Sequence, residues 1–418
     1  MELISDLHIH SKYSRATSKN MDLEHLDNYA KIKGINLLGT GDFTHPKWIE
    51  ELKSKLTQAE QGLFHYKNKE MFYMLTSEIS LIYSQGGKGR RVHIVLLAPS
   101  FEIVEQITDW LKTKGRVDYD GRPIFGFSAS ELVENMMQIS KDIEIIPAHI
   151  WTPWFGLLGS KSGFDSFQEC FQDQTKHIHA LETGLSSDPS MNWRVSSLDK
   201  FSILSFSDSH SFWSWRLGRE LTMFDCKPTY KDIINSIRTK SGIKQTIEVD
   251  PNYGKYHWDG HRACNVFFSP SQTKELNGIC PACKKPLTVG VEYRVEELAD
   301  RPEGYTPKNP TPFKRLIPLS EIISAVFSSG ITSKKVQLEH DNLIKNFNSE
   351  LNILLKTSKD DLLKITDQKI AKTIILNREG KLKIQPGYDG VYGKLILDES
   401  KQIKETKYTP SQKSLSEF

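Results

Sequence analysis

The residue types able to do chemistry gather in the first half of the chain, and they are imidazoles and carboxylates. The run from Asp6 to Ser11 sets His8 and His10 two residues apart on a β-like segment, so both rings point to the same side. Similar residues recur where other predicted strands end: Asp42 and His45 after Leu38, then Glu78, His93, His149, and Asp208 with His210. In parallel α/β folds that edge collects ligands and metals. A lone His-X-His pair is ordinarily a packed or exposed pair, so the recurrence at the other strand ends carries the reading. Such a set suits two or three divalent ions, whether zinc, manganese, magnesium or iron. Ions about 3.5 to 4 Å apart clamp the attacking and leaving oxygens of a phosphoryl displacement and generate hydroxide from bound water. Metal-assisted phosphoester hydrolysis is the chemistry expected. Asp208, His210, His149 and Glu78 stand closest to it, with Asp208 between metal and nucleophile and the two histidines on the phosphate or leaving group. His25 and His65 read as surface and His177 and His179 as strand flanks, while Glu182 reads as a supporting residue behind the ligands.

A second constellation lies further on. His261 and Cys264, then Cys280 and Cys283, form two ligand pairs at zinc-knuckle spacing, as a closed structural zinc requires. His257 is the alternative fourth ligand. The chain has five cysteines, an odd number over 418 residues, which makes no disulfide framework. Cys170 and Cys226 read as ordinary thiols.

The elements that must position these residues follow from pattern. Short β-like runs at 3–8, 35–38, 72–79, 92–98, 143–148, 178–182 and 203–207 alternate with helical spacing, such as Leu23, Leu26 and Ala30 before Gly34. Ser128 with Glu131 reads as a capping box opening another helix. This alternation predicts a parallel α/β layout, closed or doubly wound. Pro251 to Gly254 and the proline-rich stretch 301–318 set boundaries, giving regions 1–250, 251–310 and 311–418. The last reads as helices over 320–327, 334–355, 358–365 and 368–377, then a turn-rich β segment over 381–397. Net charge is +3, but the three regions carry −3, +1 and +5. The basic last region favours contact with phosphates. Aromatic residues follow two of the metal motifs directly: Trp151, Trp154 and Phe155 after His149, and Phe212, Trp213 and Trp215 with Arg216 after His210. Most belong to a core by frequency, yet Trp151, Trp154, Phe155, Trp213 and Arg216 are placed to stack on and hold an unpaired base.

His8-X-His10, the Gly41–His45 segment, Glu78, His93, His149 and Asp208-X-His210 resemble the PHP (polymerase and histidinol phosphatase) family. That resemblance implies a distorted (β/α)7 barrel with a trinuclear metal site. His8, His10, Glu78 and Asp208 would hold one ion and Glu78, His93 and His149 a second; His210 with a residue of the 42–45 segment would hold a third. Two departures stand out. Phe43 occupies a position where the family has histidine, and a further histidine soon after His10 is absent, so the third site rests on Asp42 or His45. Barrel, zinc module and helical tail ending in Pro386–Gly393 together resemble the endonuclease Q family over essentially the whole chain. The implied architecture is a 1–250 metallohydrolase barrel, a 251–310 zinc-binding module and a 311–418 mainly helical DNA-binding domain. The implied activity is DNA repair by hydrolysis of the phosphodiester 5′ of a deaminated base (uracil, hypoxanthine, xanthine) or an abasic site. Expected partners are DNA carrying such lesions and a replication clamp, with no membrane, the chain acting as a monomer. A mean hydropathy of −0.45 and the absence of a charged-then-apolar leader or a long apolar run give the cytoplasm as the expected compartment. The rival readings are a phosphoesterase acting on a small phosphate monoester and a non-catalytic DNA-binding protein on a degenerate barrel.

Overall fold

The computed structural model describes residues 1–397 together with 403 and 406. Twelve strands form the first part: β1 Glu2–Asp6, β2 Leu37–Gly39, β3 Leu56–Glu60, β4 Leu63–Tyr66, β5 Asn68–Gln85, β6 Lys88–Ala98, β7 Ile124–Phe125, β8 Glu144–Pro147, β9 Ala180–Glu182, β10 Ser202–Leu204, β11 Leu221–Asp225 and β12 Ile243–Glu248. The expected runs are all strands, and the helices Leu23–Lys33 and Ala129–Ile139 stand where spacing placed them. Ser128 accepts from the Glu131 N–H at 3.1 Å, but the Glu131 carboxylate turns to Lys114, so only half of the capping box forms.

The sheet is mixed rather than parallel. β1 pairs with β2, β2 with β5, and β9 with β10 in parallel, whereas β5 with β6, β6 with β8, β1 with β11 and β11 with β12 are antiparallel. The physical cause lies at Gly86 and Gly87. Both have positive φ (63° and 73°), which makes a two-residue turn that folds two long runs back on each other as a hairpin. Residues drawn from successive strands, among them Leu3, Leu37, Met74, Leu97, Ile146, Ala180, Leu204 and Phe224, share one buried apolar cluster. That interior fixes the strand ends from which the ligand residues project.

A small hairpin, β13 Asp259–His261 with β14 Val266–Phe268, follows, and then β15 Phe313–Arg315 returns to pair in parallel with β12. The helices Leu319–Phe327, Lys334–Phe347, Glu350–Leu355, Lys359–Ile365 and Gln368–Arg378 come next, closed by an antiparallel hairpin, β16 Lys383–Gln385 with β17 Lys394–Ile396. The single helix expected over 334–355 is two, because Asn348 adopts φ 70° and the Ser349 hydroxyl caps a new start by accepting from Asn352 N–H. Asn377 both accepts from Ile317 N–H and donates to Ile317 C=O, pinning the last long helix to the strand before the bundle. No helix among the described residues is long and apolar enough to cross a membrane.

One buried ionic contact joins the front of the chain to its tail. Lys33, at the end of the Leu23–Lys33 helix, donates to Glu350 Oε1 and to Ser214 C=O, both at 2.8 Å, and Glu350 also accepts from Leu319 N–H. Burial would push the Glu350 carboxyl up, but Lys33 and His340 hold it down at about 2. A carboxylate depressed in this way stabilises the fold above its ordinary value of about 4.3 and loses that contribution as pH falls through about 2. Lys33→Met leaves a buried unpaired charge, expected to cost about 3–5 kcal/mol. The deficit should be largest at pH 7 and shrink on mild acidification, where the unpaired carboxyl protonates. Urea midpoints at pH 7 and pH 4.5 check this; an equal deficit at both would contradict it.

Candidate metal centres

The first cluster is built where β1 runs out. The strand ends at Asp6, yet Ile9 stays extended and bridges Ser209, with His10 N–H donating to Ser209 C=O, so the two-residue alternation persists and both rings face inward. Asp6 ties this end to the loop carrying Asp208, accepting from Ser207 N–H and Oγ and from Gly218 N–H. Glu78 lies within β5, and in the antiparallel register Ser80 faces His93, which puts Glu78 and His93 on one side as diagonal neighbours. His149 lies two residues beyond β8.

Two ligand groups result. His8, His10, Glu78 and Asp208 each offer an atom within 4.8 Å of the others, and Glu78, His93 and His149 do the same. Glu78 belongs to both. Its Oε1 lies 2.8 Å from His93 Nδ1 and 3.3 Å from His149 Nε2, and its Oε2 lies 3.2 Å from His10 Nε2. These are the first two ligand sets that the resemblance implied. The ligand atoms of Asp42, His45 and His210 fall in no group of three or more within 4.8 Å of one another among the described residues. Asp42 is committed elsewhere: it accepts from Ser11 N–H and Oγ and from Ser14 Oγ, and lies 3.0 Å from His10 Nδ1. His45 stacks on Tyr13 at 4.5 Å between centroids. His210 lies beside Asp208, its Nδ1 3.6 Å from the carboxylate, its ring 4.4 Å from that of His10.

The residues fit metal ions by their own hydrogen bonding. Glu182 lies 2.9 Å from His8 Nδ1, which puts the proton there and leaves Nε2 as the lone-pair face. His8 Nε2 is buried without a hydrogen-bond partner, although Glu78 and Asp208 oxygens stand 3.5 and 3.6 Å away. Asp42 does for His10 what Glu182 does for His8. Thr152 donates to His149 C=O and accepts from His149 Nδ1, so His149 Nε2 also turns its lone pair inward, 3.2 Å from His93 Nδ1. Nitrogen and carboxylate oxygen atoms so converged suit a divalent cation among them. In the metal-free chain the same crowding shifts the titration of these groups. Burial would raise Glu78, yet His93, Arg122 and His8 hold its carboxyl well below the usual range. Burial would lower His8 and His10, yet Glu182 and Glu78 around the first and Asp42 and Asp208 around the second raise both well above the usual value.

Backbone strain concentrates here. Asp42, His149 and Asp208 have φ of 50°, 30° and 47°, the left-handed region that non-glycine residues seldom occupy. Gly184 (φ 60°) follows the Glu182 strand, and a Cβ there would collide with His149 Cβ, so glycine is required at that approach.

The aromatic residues divide. Trp151 is fully buried and donates to Asn192 Oδ1, which makes it core and removes it from any base-stacking face. Trp154 is 39% exposed, edge-on to Tyr256, and Phe155 covers His93 at 4.3 Å. Trp213 stacks on Trp215 at 4.8 Å. Arg216 pairs with Glu321 at 3.1 Å and lines a cleft with Arg219, Tyr253 and Tyr392. Arg122, which the motif reading passed over, donates to Glu78 Oε2 at 3.0 Å. An arginine in a turn carries no spacing signal.

The cysteine module converges as well. His261, Cys264, Cys280 and Cys283 offer atoms within 4.8 Å, with His261 Nδ1 3.2 Å from both Cys264 and Cys283 Sγ. His257 stands apart, 3.5 Å from Glu292. The local apolar core is Val266, Phe268, Cys280 and Leu287, too small to hold a fold without a cross-link.

Two buried imidazole–carboxylate groups sharing one glutamate define a metallohydrolase type of site, with Glu78 and His93 inside long strands rather than at strand ends as expected. Relatives make the assignment specific. A lesion-specific endonuclease of Pyrococcus furiosus, PfuEndoQ, superposes with a TM-score of 0.86 at 33% identity over 96% of both chains. Endonuclease Q in complex with a 27-mer duplex carrying an abasic lesion at the active site superposes at 0.85, with 34% identity over 96% of this chain and 97% of that one. The protein belongs to the endonuclease Q family. Residues 318–381 match the family model described as the MJ0043 C-terminal domain. The chain is also 35% identical over 257 residues to the uncharacterized protein MJ0043 of Methanocaldococcus jannaschii, covering 60% of this chain and 32% of that longer protein's length.

If the cysteine cluster holds one zinc, Cys280→Ser should release about one zinc per chain and lower the melting temperature. Elemental analysis beside thermal unfolding checks it; unchanged zinc content would refute the assignment.

Proposed function

We propose that the chain is a DNA repair endonuclease that hydrolyses the phosphodiester 5′ of a deaminated base (uracil, hypoxanthine or xanthine) or an abasic site. The observation that carries this reading is the pair of ligand groups sharing Glu78 beneath a mouth formed by Asp208 and His210, whose side chains are 28% and 30% exposed while His8, His10 and Glu78 are closed off. Divalent ions held by His8, His10, Glu78 and Asp208 and by Glu78, His93 and His149 would supply a polarised water and neutralise the phosphate.

The protein residues do the rest. Glu182, Asp42 and Thr152 fix the ring orientations of His8, His10 and His149, so the ligand lone pairs need no reorganisation. His210 is placed at the mouth to donate a hydrogen bond to a phosphate or leaving oxygen. Phe155 covers His93 and keeps water from the inner group. We assign residues 1–250 to a PHP-type barrel, 251–310 to a zinc-binding module through His261, Cys264, Cys280 and Cys283, and 311–418 to contact with the duplex. The +5 charge of the last region supports phosphate contact. A lesion pairs weakly, so swinging that nucleotide out of the stack costs least where damage exists. Trp154, exposed and five residues beyond His149, is the aromatic residue we assign to stack on it.

Purified chain with manganese or magnesium should nick duplexes containing one deoxyuridine or deoxyinosine, leaving 3′-hydroxyl and 5′-phosphate ends. Asp208→Ala should lower the rate by more than about a hundredfold, beyond the loss expected for a residue that only orients a ligand, with duplex binding retained. Intact strands with folded wild-type protein under every metal condition would overturn the reading.

A further inference from the structure

We propose that Arg122 is a catalytic residue whose guanidinium binds a non-bridging oxygen of the scissile phosphate. This rests on the reading above and adds a protein cation to it. Among the charged groups around the two ligand clusters, His8, His10 and Glu78 are sealed from solvent, and those that reach it are Asp208, His210 and Arg122, the last with a side chain 25% exposed. An anion arriving at the mouth therefore meets an aspartate, an imidazole and the Arg122 guanidinium, with a second arginine, Arg219, donating to Ser207 C=O beside Asp208. Arg122 donates one N–H to Glu78 Oε2, out of the five that a guanidinium carries. That oxygen is also the one facing His10 and the first ligand group, 3.2 Å away, so a metal ion there competes directly for it. The guanidinium remains next to the centre, one-quarter exposed and with one donor committed to Glu78, and its planar fork suits bidentate recognition of phosphate.

The segment holds the side chain in place on both sides. Arg122 N–H donates to Asp120 Oδ1, Gly121 N–H to Tyr13 C=O, and Ser80 N–H to Pro123 C=O, which fastens the turn to β5 two residues from Glu78. A Cβ on Gly121 would collide with Asp42 and Ser14, so the turn packs directly on the support of His10. Such preorganisation lets a cation stabilise developing charge without moving. In the step, the water oxygen forms a bond to phosphorus and the P–O3′ bond to the nucleotide 5′ of the lesion breaks. The attacking water gives up one proton to solvent and the departing O3′ takes one up from solvent, so protons balance, and Arg122 keeps its own while its N–H groups follow the charge on the equatorial oxygens.

The test uses the full chain loaded with manganese. Arg122→Gln should lower the single-turnover nicking rate on a deoxyuridine duplex by about a hundredfold, and Arg122→Lys should restore part of it. Manganese per chain and melting temperature should stay at wild-type values in both variants. Inorganic phosphate should raise the melting temperature of loaded wild type but not of Arg122→Gln. Wild-type nicking by Arg122→Gln, or loss of manganese from it, would overturn the proposal, the latter because it would make Arg122 a support for Glu78. If wild-type protein nicks no lesion duplex, the endonuclease reading falls by itself, and the phosphate-dependent shift still decides whether Arg122 seats an anion.

Discussion

The structure turns on the Glu78 carboxylate. It is fully buried in the middle of a long strand, yet it lies within reach of His8, His10, His93, His149 and Arg122. A carboxylate taken out of water is tolerated only where positive charge and hydrogen bonds replace the lost hydration. Here imidazoles and Arg122 supply much of the surround, and a divalent cation would take the place of the protons that the imidazoles otherwise hold. The elements around it serve that requirement. Strand pairing brings Glu78 and His93 to one face, Asp6 draws the Asp208 loop onto the end of β1, and Glu182, Asp42 and Thr152 turn three imidazoles inward.

The tail is coupled to that site rather than appended to it. Lys33 holds Glu350 from the C-terminal helices and Ser214 from the loop just beyond His210, while His340 reaches both Ser214 and Glu350. Phe212, Trp213 and Trp215 ride on that loop. The Leu23–Lys33 helix and the loop beyond Asp208 thus share buried partners on the C-terminal helices.

Much of this was legible in the residues themselves. His8 and His10, His149 and Asp208 declare themselves by type and by position near strand ends and the cysteine module by spacing, whereas Glu78 and His93, expected at strand ends, lie in the middle of β5 and β6. The strand runs were legible because their apolar stretches are short and bounded. What pattern does not carry is how strands pair. Nothing in periodicity distinguishes a crossover from the Gly86–Gly87 reversal, and β11 and β12 enter antiparallel after the alternation stops. Glu182 read as a supporting residue and does support His8, whereas the role of Asp42 was hidden, because a carboxylate that binds an ion and one that orients the histidine behind it look alike in sequence. Only Ser11 and Ser14 on Asp42, and His8 Nδ1 against Glu182, separate them. Trp151 likewise looks like a base-stacking residue until its burial against Asn192 is known.

The whole site rests on one glutamate, Glu78, serving two cations. Electron paramagnetic resonance of the manganese-loaded chain tests it most directly. Two ions joined through Glu78 should give the split multiline spectrum of an exchange-coupled pair, and Glu78→Gln should reduce it to the six-line pattern of isolated manganese. Two independent six-line signals in the wild-type protein would contradict the account.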